Sequence, residues 1–537
     1  MEIVAGIAFV LAVVVVAYLD HAARKRAQSR QQEAGAEQER KRLCAAFIDA
    51  FSRNYAYLDR HLMHANELHS LAETGENVSG LRKKILAAVH ASGAIILGHD
   101  QGNQNDLPIV LPDGLRDKHV YVVGKSGFGK TTFLRSLIAQ DLERGSGLAV
   151  IAPEAELILE EILPIIPESR IDDVIYFNPA DTTQPVVLNP LHVFQGDVFD
   201  LHIDETLTVL RRVTDEGGPR MNHILHSALY ALSERPGSTL LDFAPLLDRK
   251  NDSLRKEIIE NTSDDLTRAF FANEYPQMPA DSHLPILNRL GRIVRSEFVR
   301  NCLCPPQDTS LPQGELEKRL LNIRRVMDEG KIALFNLSDG IVGKVAGHLI
   351  GQLVVAKFQT AIMSRADTPK HLRKRYYLYL DEFQNFCGSS VDSYKEILSR
   401  ARKYGLGLIL AHQQTDQLPQ DLLHETFGNA STIVSFRVSH PDATRLAKEM
   451  FPGSYTDRIP TFMKLEIGET VCSVDGSTYS MRTPPQPDVR APEKVRRIIE
   501  RSRELYGIPR QLRRARDHND VPREPDALTD LDPGDVF

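Results

Sequence analysis

The chain is 537 residues long, with 42% hydrophobic and 26% charged residues, more than a single hydrophobic core usually serves. Its formal charge of -7 excludes a protein that is basic all over and coats nucleic acid, though it leaves room for a basic lining inside an acidic assembly. Five scattered cysteines (Cys44, Cys302, Cys304, Cys387, Cys472) exclude a disulfide framework, and the single close pair, Cys302 and Cys304, lacks the second pair that a zinc site needs.

Ile3 to Leu19 carries no charge and as a helix reaches roughly 25 Å, enough to span a bilayer. A cleavable signal peptide is the competing reading, but only Glu2 precedes the run and no small-residue cleavage site follows. Arg24, Lys25, Arg26 and Arg30 follow it, which by the positive-inside rule keeps the rest of the chain in the cytoplasm. Residues 1–19 therefore read as a transmembrane anchor in the inner, cytoplasmic membrane. Residues 20–94 repeat apolar positions every three or four residues (Leu43, Phe47, Phe51, Tyr55, Leu58) and read as a helical stalk.

The stretch 98–114 is rich in turn residues and marks entry into a new unit. Residues 119–152 read strand, glycine loop, helix, strand: a βαβ unit with a parallel sheet buried on both faces. From 201 to 328 the pattern is helical and reads as an insertion between two halves of the core, 95–200 and 329–485. Sheet signals return at 331–337, 376–380, 407–411 and 432–438, and this alternation supports a doubly wound α/β core. Residues 486–537 read as a basic helix followed by an acidic, proline-containing tail that composition assigns to disorder.

The glycine loop is the strongest chemical signal. Gly124-Lys125-Ser126-Gly127-Phe128-Gly129-Lys130-Thr131 fits G-x-x-x-x-G-K-[ST], and Thr132 continues into the helix. Its backbone N–H groups and the helix N-terminus suit the phosphates of ATP, with Lys130 at the β/γ-phosphates and Thr131 at Mg²⁺. A second metal-holding acid belongs at the end of a neighbouring strand, and YYLYLDEF supplies Asp381, with Glu382 beside it as the base that positions the attacking water. Further on, Gly405 ends a helix with Arg402 in its last turn, where a cation also serves the helix dipole. The next strand delivers Gln413 to the carboxyl edge of the sheet.

GKSGFGKTT, YLYLDEFQNF, ARKYGLGLILAHQQTDQL and GNASTIVSFRV, in this order and with a helical insertion containing GPRMNHIL, resemble the HerA/FtsK superfamily of hexameric DNA-pumping ATPases. Within it the chain looks most like the TraG/TraD-type coupling proteins of conjugation and type IV secretion, over roughly residues 95–485. The resemblance implies a RecA-like P-loop NTPase core with an all-α insertion, assembled as a homohexamer that moves DNA through phosphate contacts. Its implied partners are a relaxase and the channel proteins of type IV secretion. By position it implies that Arg402 is an arginine finger acting on the neighbouring subunit's nucleotide, Gln413 a sensor, and Arg437 a second γ-phosphate contact.

Two features depart from that family. Many coupling proteins have two membrane helices, whereas one hydrophobic run is visible here, and Ala152 stands where an acid follows the second strand, with Glu154 and Glu156 after it. Arg211, Arg212, Arg324 and Arg325 are candidates to face a DNA pore, but ordinary helix-surface charges explain them better. A HerA-like DNA-processing motor, a secretion ATPase acting on protein and a nucleotide-gated membrane scaffold remain as alternatives. An intact Glu382 and Arg402 weigh against the scaffold, which has no physical need of either.

Overall fold

The computed structural model describes residues 94–101, 108–213, 218–306, 309, 311–387 and 391–510, together with positions 35, 37, 38 and 42. The anchor expected at 1–19, most of the expected stalk and the tail beyond Arg510 lie outside the described residues.

Eleven strands form one sheet: β1 (Ile95–Asp100), β2 (Pro108–Leu111), β3 (Val120–Val123), β4 (Gly147–Ala152), β5 (Val174–Phe177), β6 (Ile332–Asn336), β7 (Tyr376–Leu380), β8 (Leu406–His412), β9 (Thr432–Ser435), β10 (Glu469–Val474) and β11 (Ser477–Arg482). The spatial order is β2-β1-β11-β10-β9-β3-β8-β7-β4-β6-β5. From β5 across to β9 every neighbouring pair is parallel, whereas β9-β10-β11-β1-β2 is antiparallel throughout. The parallel strands are buried along their whole length, as a sheet covered on both faces requires.

The pleat sends alternate side chains to opposite faces. Tyr121 and Val123 of β3 join a core shared with the helical insertion, while Val120 and Val122 join one built on the helix Lys130–Glu143. The insertion runs from the helix Phe199–Val213 to the helix Ile323–Glu329, and the strands flanking it, β5 and β6, are direct neighbours, with Val174 opposite Ile332. The chain thus leaves the sheet and returns beside its own exit.

The helix that comes after β6, Lys344–Ser364, lies in a segment apolar and long enough to cross a membrane by length and composition. Leu349, Ile350, Leu353, Val354 and Phe358 are instead buried against the sheet and the insertion, so its hydrophobicity is that of a core helix. The basic helix Pro492–Tyr506 docks on the sheet edge: the Tyr176 N–H donates to Ser502 Oγ at 2.8 Å, Ile498 is buried, and Arg501 and Arg503 pair with Asp172 and Asp181.

A buried polar cluster ties the sheet to the helix after the glycine loop. The Arg116 guanidinium donates to Asp141 Oδ1 at 2.5 Å and to Tyr379 Oη at 2.7 Å, and it stacks 3.4 Å from the centre of the Tyr377 ring. Arg116 and Asp141 are both almost completely buried, so removing one partner strands a charge. Asp141→Ala is expected to cost about 3–5 kcal/mol in denaturant unfolding, and the double change Arg116→Met with Asp141→Leu to recover most of it.

Candidate nucleotide site

The glycine loop begins where β3 ends, between β8 and β9, at the carboxyl edge of the sheet. Gly127 and Gly129 adopt φ of +80° and +108°, a region costly for other residues. Gly129 caps the helix Lys130–Glu143, whose first N–H groups and dipole point into the loop. Lys125, Ser126, Thr131 and Thr132 are exposed at its mouth and Phe128 is half-buried, whereas Lys130 is buried and donates from Nζ to the Gly124 carbonyl at 2.9 Å.

The strand carrying Asp381 is not adjacent to β3. β8 lies between β3 and β7, so its last residues fall between the glycine loop and the acid pair. Gln413 accordingly donates from Nε2 to Glu382 Oε1 at 2.9 Å, the oxygen that lies 3.8 Å from Lys130 Nζ. The other Glu382 oxygen accepts from Gln384 Nε2 at 2.8 Å. Glu382 itself has φ of +47°, a left-handed conformation rare for a residue with a Cβ, which the surrounding structure must hold in place. One strand–turn junction thus fixes the backbone and both carboxylate oxygens of the proposed base.

Electrostatics of the site are set by crowded carboxylates. Burial and the adjacent Glu382 push the Asp381 carboxyl up to about 7, with Lys130 opposing the shift. Glu154, on the loop after β4, is also raised, first by burial and then by Glu156 and Glu382. A divalent cation would relieve this repulsion, and a buried carboxylate with an exposed Thr131 hydroxyl makes a donor set of the hard-oxygen kind that Mg²⁺ takes. The bare glycine loop is likewise of the kind that suits a phosphate chain. Beneath Lys130 lies His412, fully buried against Tyr121 and Phe383 and held neutral, its pKa pushed down to about 3 by burial and by Lys130.

Arg437 stands at the rim. Its carbonyl accepts from the Lys125 N–H at 2.9 Å, and its exposed guanidinium lies 5.3 Å from the Phe128 ring centre, a cation–π distance. Arg402 is elsewhere. It is exposed on the turn Ala401–Tyr404, ended by Gly405 at φ +78°, ahead of the amino end of β8. The seven residues of β8 separate it from Gln413 by about 20 Å. Lys130, Asp381, Glu382 and Gln413 therefore converge, Arg437 overhangs them, and Arg402 faces away from the site of its own chain.

Three contributors escape a reading of the sequence alone. His412 ends β8 and Phe436 comes directly after β9, and the pattern around each says only "buried". The third is the hairpin β10–β11: the residue just before it, Gly468, donates from its N–H to the Phe128 carbonyl at 3.1 Å. Asp475-Gly476, with φ of +47° and +86°, is the Asp-Gly turn signal that could have revealed that hairpin. Ala152 is fully buried and its carbonyl accepts from the Leu337 N–H at 3.0 Å, a place with no room for a solvated acid. Arg324 pairs with Asp328 and Asp367, and Arg325 donates to the Lys318 carbonyl.

A parallel sheet with a glycine loop opening from a central strand into a helix is the architecture of the P-loop α/β proteins. Among solved structures, the chain is similar to the plasmid coupling protein TrwB in complex with ADP and Mg²⁺, at 14% identity and a TM-score of 0.48, covering 72% of this chain and 90% of that one. It is also similar to the bacterial conjugative coupling protein TrwBdeltaN70 in its unbound form (15%, TM-score 0.47, 72% and 89%). VirB4 of Thermoanaerobacter pseudethanolicus is a third such structure (14%, TM-score 0.47, 73% and 96%). No protein-family model matches the sequence, and no curated protein matches it.

The Asp381 proton sets a pH dependence. Its carboxyl is raised above the ordinary value of 3.8, so between about pH 4 and pH 7 the folded chain holds a proton that the unfolded chain has lost. This contribution to stability is full below about pH 4 and disappears as pH rises through 7. Without nucleotide or metal, wild-type melting temperature is expected to fall over this window relative to Asp381→Asn; parallel profiles for the two proteins would refute the assignment.

Proposed function

We propose that this chain is a membrane-anchored, ring-forming ATPase that couples hydrolysis to DNA translocation, delivering DNA with its relaxase to a type IV secretion channel. The observation that carries the reading is the separation of its site residues. Lys130, Asp381, Glu382 and Gln413 gather at the carboxyl edge of the sheet, while Arg402 is exposed toward the other edge, a strand length away. A guanidinium so placed can serve a nucleotide only in a neighbouring copy, and closing such a head-to-tail contact produces a ring.

Within the site, Lys130 would hold the β/γ-phosphates, and Thr131 and Asp381 would hold Mg²⁺, which supplies charge neutralisation when bound. Glu382 would orient the attacking water, its geometry set by Gln413 and Gln384. Gln413 would report the state of the γ-phosphate to β8, the strand that begins just after the Arg402 turn. Arg437 would reach the γ-phosphate from the rim. DNA would be held by its phosphates without sequence readout, which is compatible with an acidic chain when the contacts face a pore. The anchor rests on the uncharged run Ile3 to Leu19 and the cations after it, and the sixfold ring and the partners rest on the sequence resemblance.

The test is ATP turnover by the detergent-solubilised full chain against protein concentration, with and without DNA. Turnover should rise steeply with both. Lys130→Ala should lose nucleotide binding, and Glu382→Gln should bind without turning over. Arg402→Ala should bind normally and lose about 10³-fold in rate. Mixing the inactive Arg402→Ala and Lys130→Ala chains should restore activity, because some interfaces then join an intact site to an intact finger. A silent Arg402→Ala, or mixtures that stay inactive at every ratio, would sink the trans-acting ring.

A further inference from the structure

On the far side of the loop after β6 there is a cleft of about 750 Å³ between the insertion helix Leu284–Val294 and the start of the helix Lys344–Ser364. Arg289, Arg292 and Lys344 line it together with Ile293, Val299 and Val345, and among the described residues none of its lining side chains is acidic. A second cavity of about 610 Å³ shares Arg289 and Arg292 and adds Arg295 against the single acid Asp281, so the helix carries a ridge of guanidinium groups between two hollows. Val345 is 81% exposed, and Leu284 and Ile341 nearby are also open to solvent. In a chain of net charge -7, a cleft both cationic and apolar calls for an occupant both acidic and apolar.

Such a segment lies in this same chain. Asp520–Phe537 holds six carboxylates (Asp520, Glu524, Asp526, Asp530, Asp532, Asp535) against the single cation Arg523, interleaved with Val521, Leu528, Leu531, Val536 and Phe537. The described residues end on a helix that lines the cleft: Arg510 donates to Asn301 Oδ1 and to the Arg300 carbonyl, on the short helix Glu297–Leu303 whose Val299 belongs to the lining. Nine residues separate Arg510 from Asp520, a reach of up to roughly 30 Å, about three times the diameter of a helix.

We propose that this cleft is a docking site for the chain's own acidic segment Asp520–Phe537, with its carboxylates on Arg289, Arg292 and Lys344 and its apolar side chains over Ile293 and Val345. The nearest competitor, a nucleic-acid backbone, would use the guanidinium ridge but has no partner for the exposed Val345, Leu284 and Ile341.

The experiment uses the full chain with Val345→Cys and Leu531→Cys joined by a short bis-maleimide and mapped by mass spectrometry. An intramolecular cross-link is expected at low salt, falling about tenfold when Arg289→Glu and Arg292→Glu are added and recovering with Lys at both positions, as a charge-driven contact requires. Hydrogen exchange gives a readout without new cysteines: changing the six carboxylates to amides should raise exchange across Gly343–Leu349. A yield indifferent to charge reversal overturns the proposal, as does a cross-link found only between chains. If charge reversal abolishes binding of a single-stranded DNA probe and leaves the cross-link intact, the cleft belongs to nucleic acid.

Discussion

The close approach of Phe436 to the glycine loop is the constraint on which the site depends. A Cβ at Gly124 would overlap Phe436 Cβ, and one at Gly129 would sit 3.3 Å from the Phe436 ring. Phe436 backs the loop with an aromatic side chain that carries no hydrogen-bonding group to compete for its amides. Phe436 is placed by its own N–H, which donates to the Val123 carbonyl at 2.9 Å, continuing the β3–β9 pairing past the end of both strands. Two further hydrogen bonds, Lys125 N–H to the Arg437 carbonyl and Gly468 N–H to the Phe128 carbonyl, stitch the loop to the chain just beyond β9 and just ahead of β10. The antiparallel half of the sheet thus braces the glycine loop from one side, and Arg437 at the rim is a by-product of that bracing.

From the other side the loop is met by charge. Asp381, Glu382 and Glu154 crowd one cation, Lys130: beyond burial, Glu382 raises both Asp381 and Glu154, while Lys130 opposes each shift. The neutral His412 below them means that the fold has not offset this repulsion with a second positive group. A site left in such electrostatic excess favours a bound divalent cation over its absence. Polyphosphate alone would add to the repulsion. The tension also gives Glu382 its setting: with Gln413 on one oxygen and Gln384 on the other, its carboxylate is oriented by two neutral amides, which fix direction without neutralising charge.

How much of this was legible in the sequence depends on where the energy lies. The parallel strands announced themselves because burial on both faces demands unbroken apolar runs, and β7 and β8 were read to within a residue or two. β5 is equally apolar but only four residues long and sits before an insertion of helices, too short a run to stand out on its own. β11 alternates exposed and buried residues, with Tyr479 and Met481 inward, a pattern diluted by serine and threonine. The motif residues Lys130, Asp381 and Glu382 were legible because their chemistry fixes their spacing. The hydrogen bond from Gln413 to Glu382 was not, because it depends on β8 lying between β3 and β7, and strand order is a property of the whole sheet. The same holds for Arg116 and Asp141, a pair 25 residues apart on successive helices either side of β3, whose partnership leaves no local trace.

The loop after β6 joins the two regions of the molecule that carry charge to be answered. The Leu337 N–H donates to the Ala152 carbonyl and the Asp339 N–H to the Pro153 carbonyl, each at 3.0 Å, so the exits of β6 and β4 are locked together. One continues to Glu154 and the acidic side of the nucleotide site; the other continues to Gly343, Lys344 and the cationic cleft. Gly343, at φ +83°, turns the chain into the helix Lys344–Ser364, whose buried length spans the core. Close-packed interiors move as blocks and do not deform smoothly, so these two backbone hydrogen bonds hold the segment that leads to Glu154 and the segment that leads to Lys344 as one unit. Ala152 suits this junction: its small side chain is fully buried, and its carbonyl is committed to the Leu337 N–H that holds β6 beside β4.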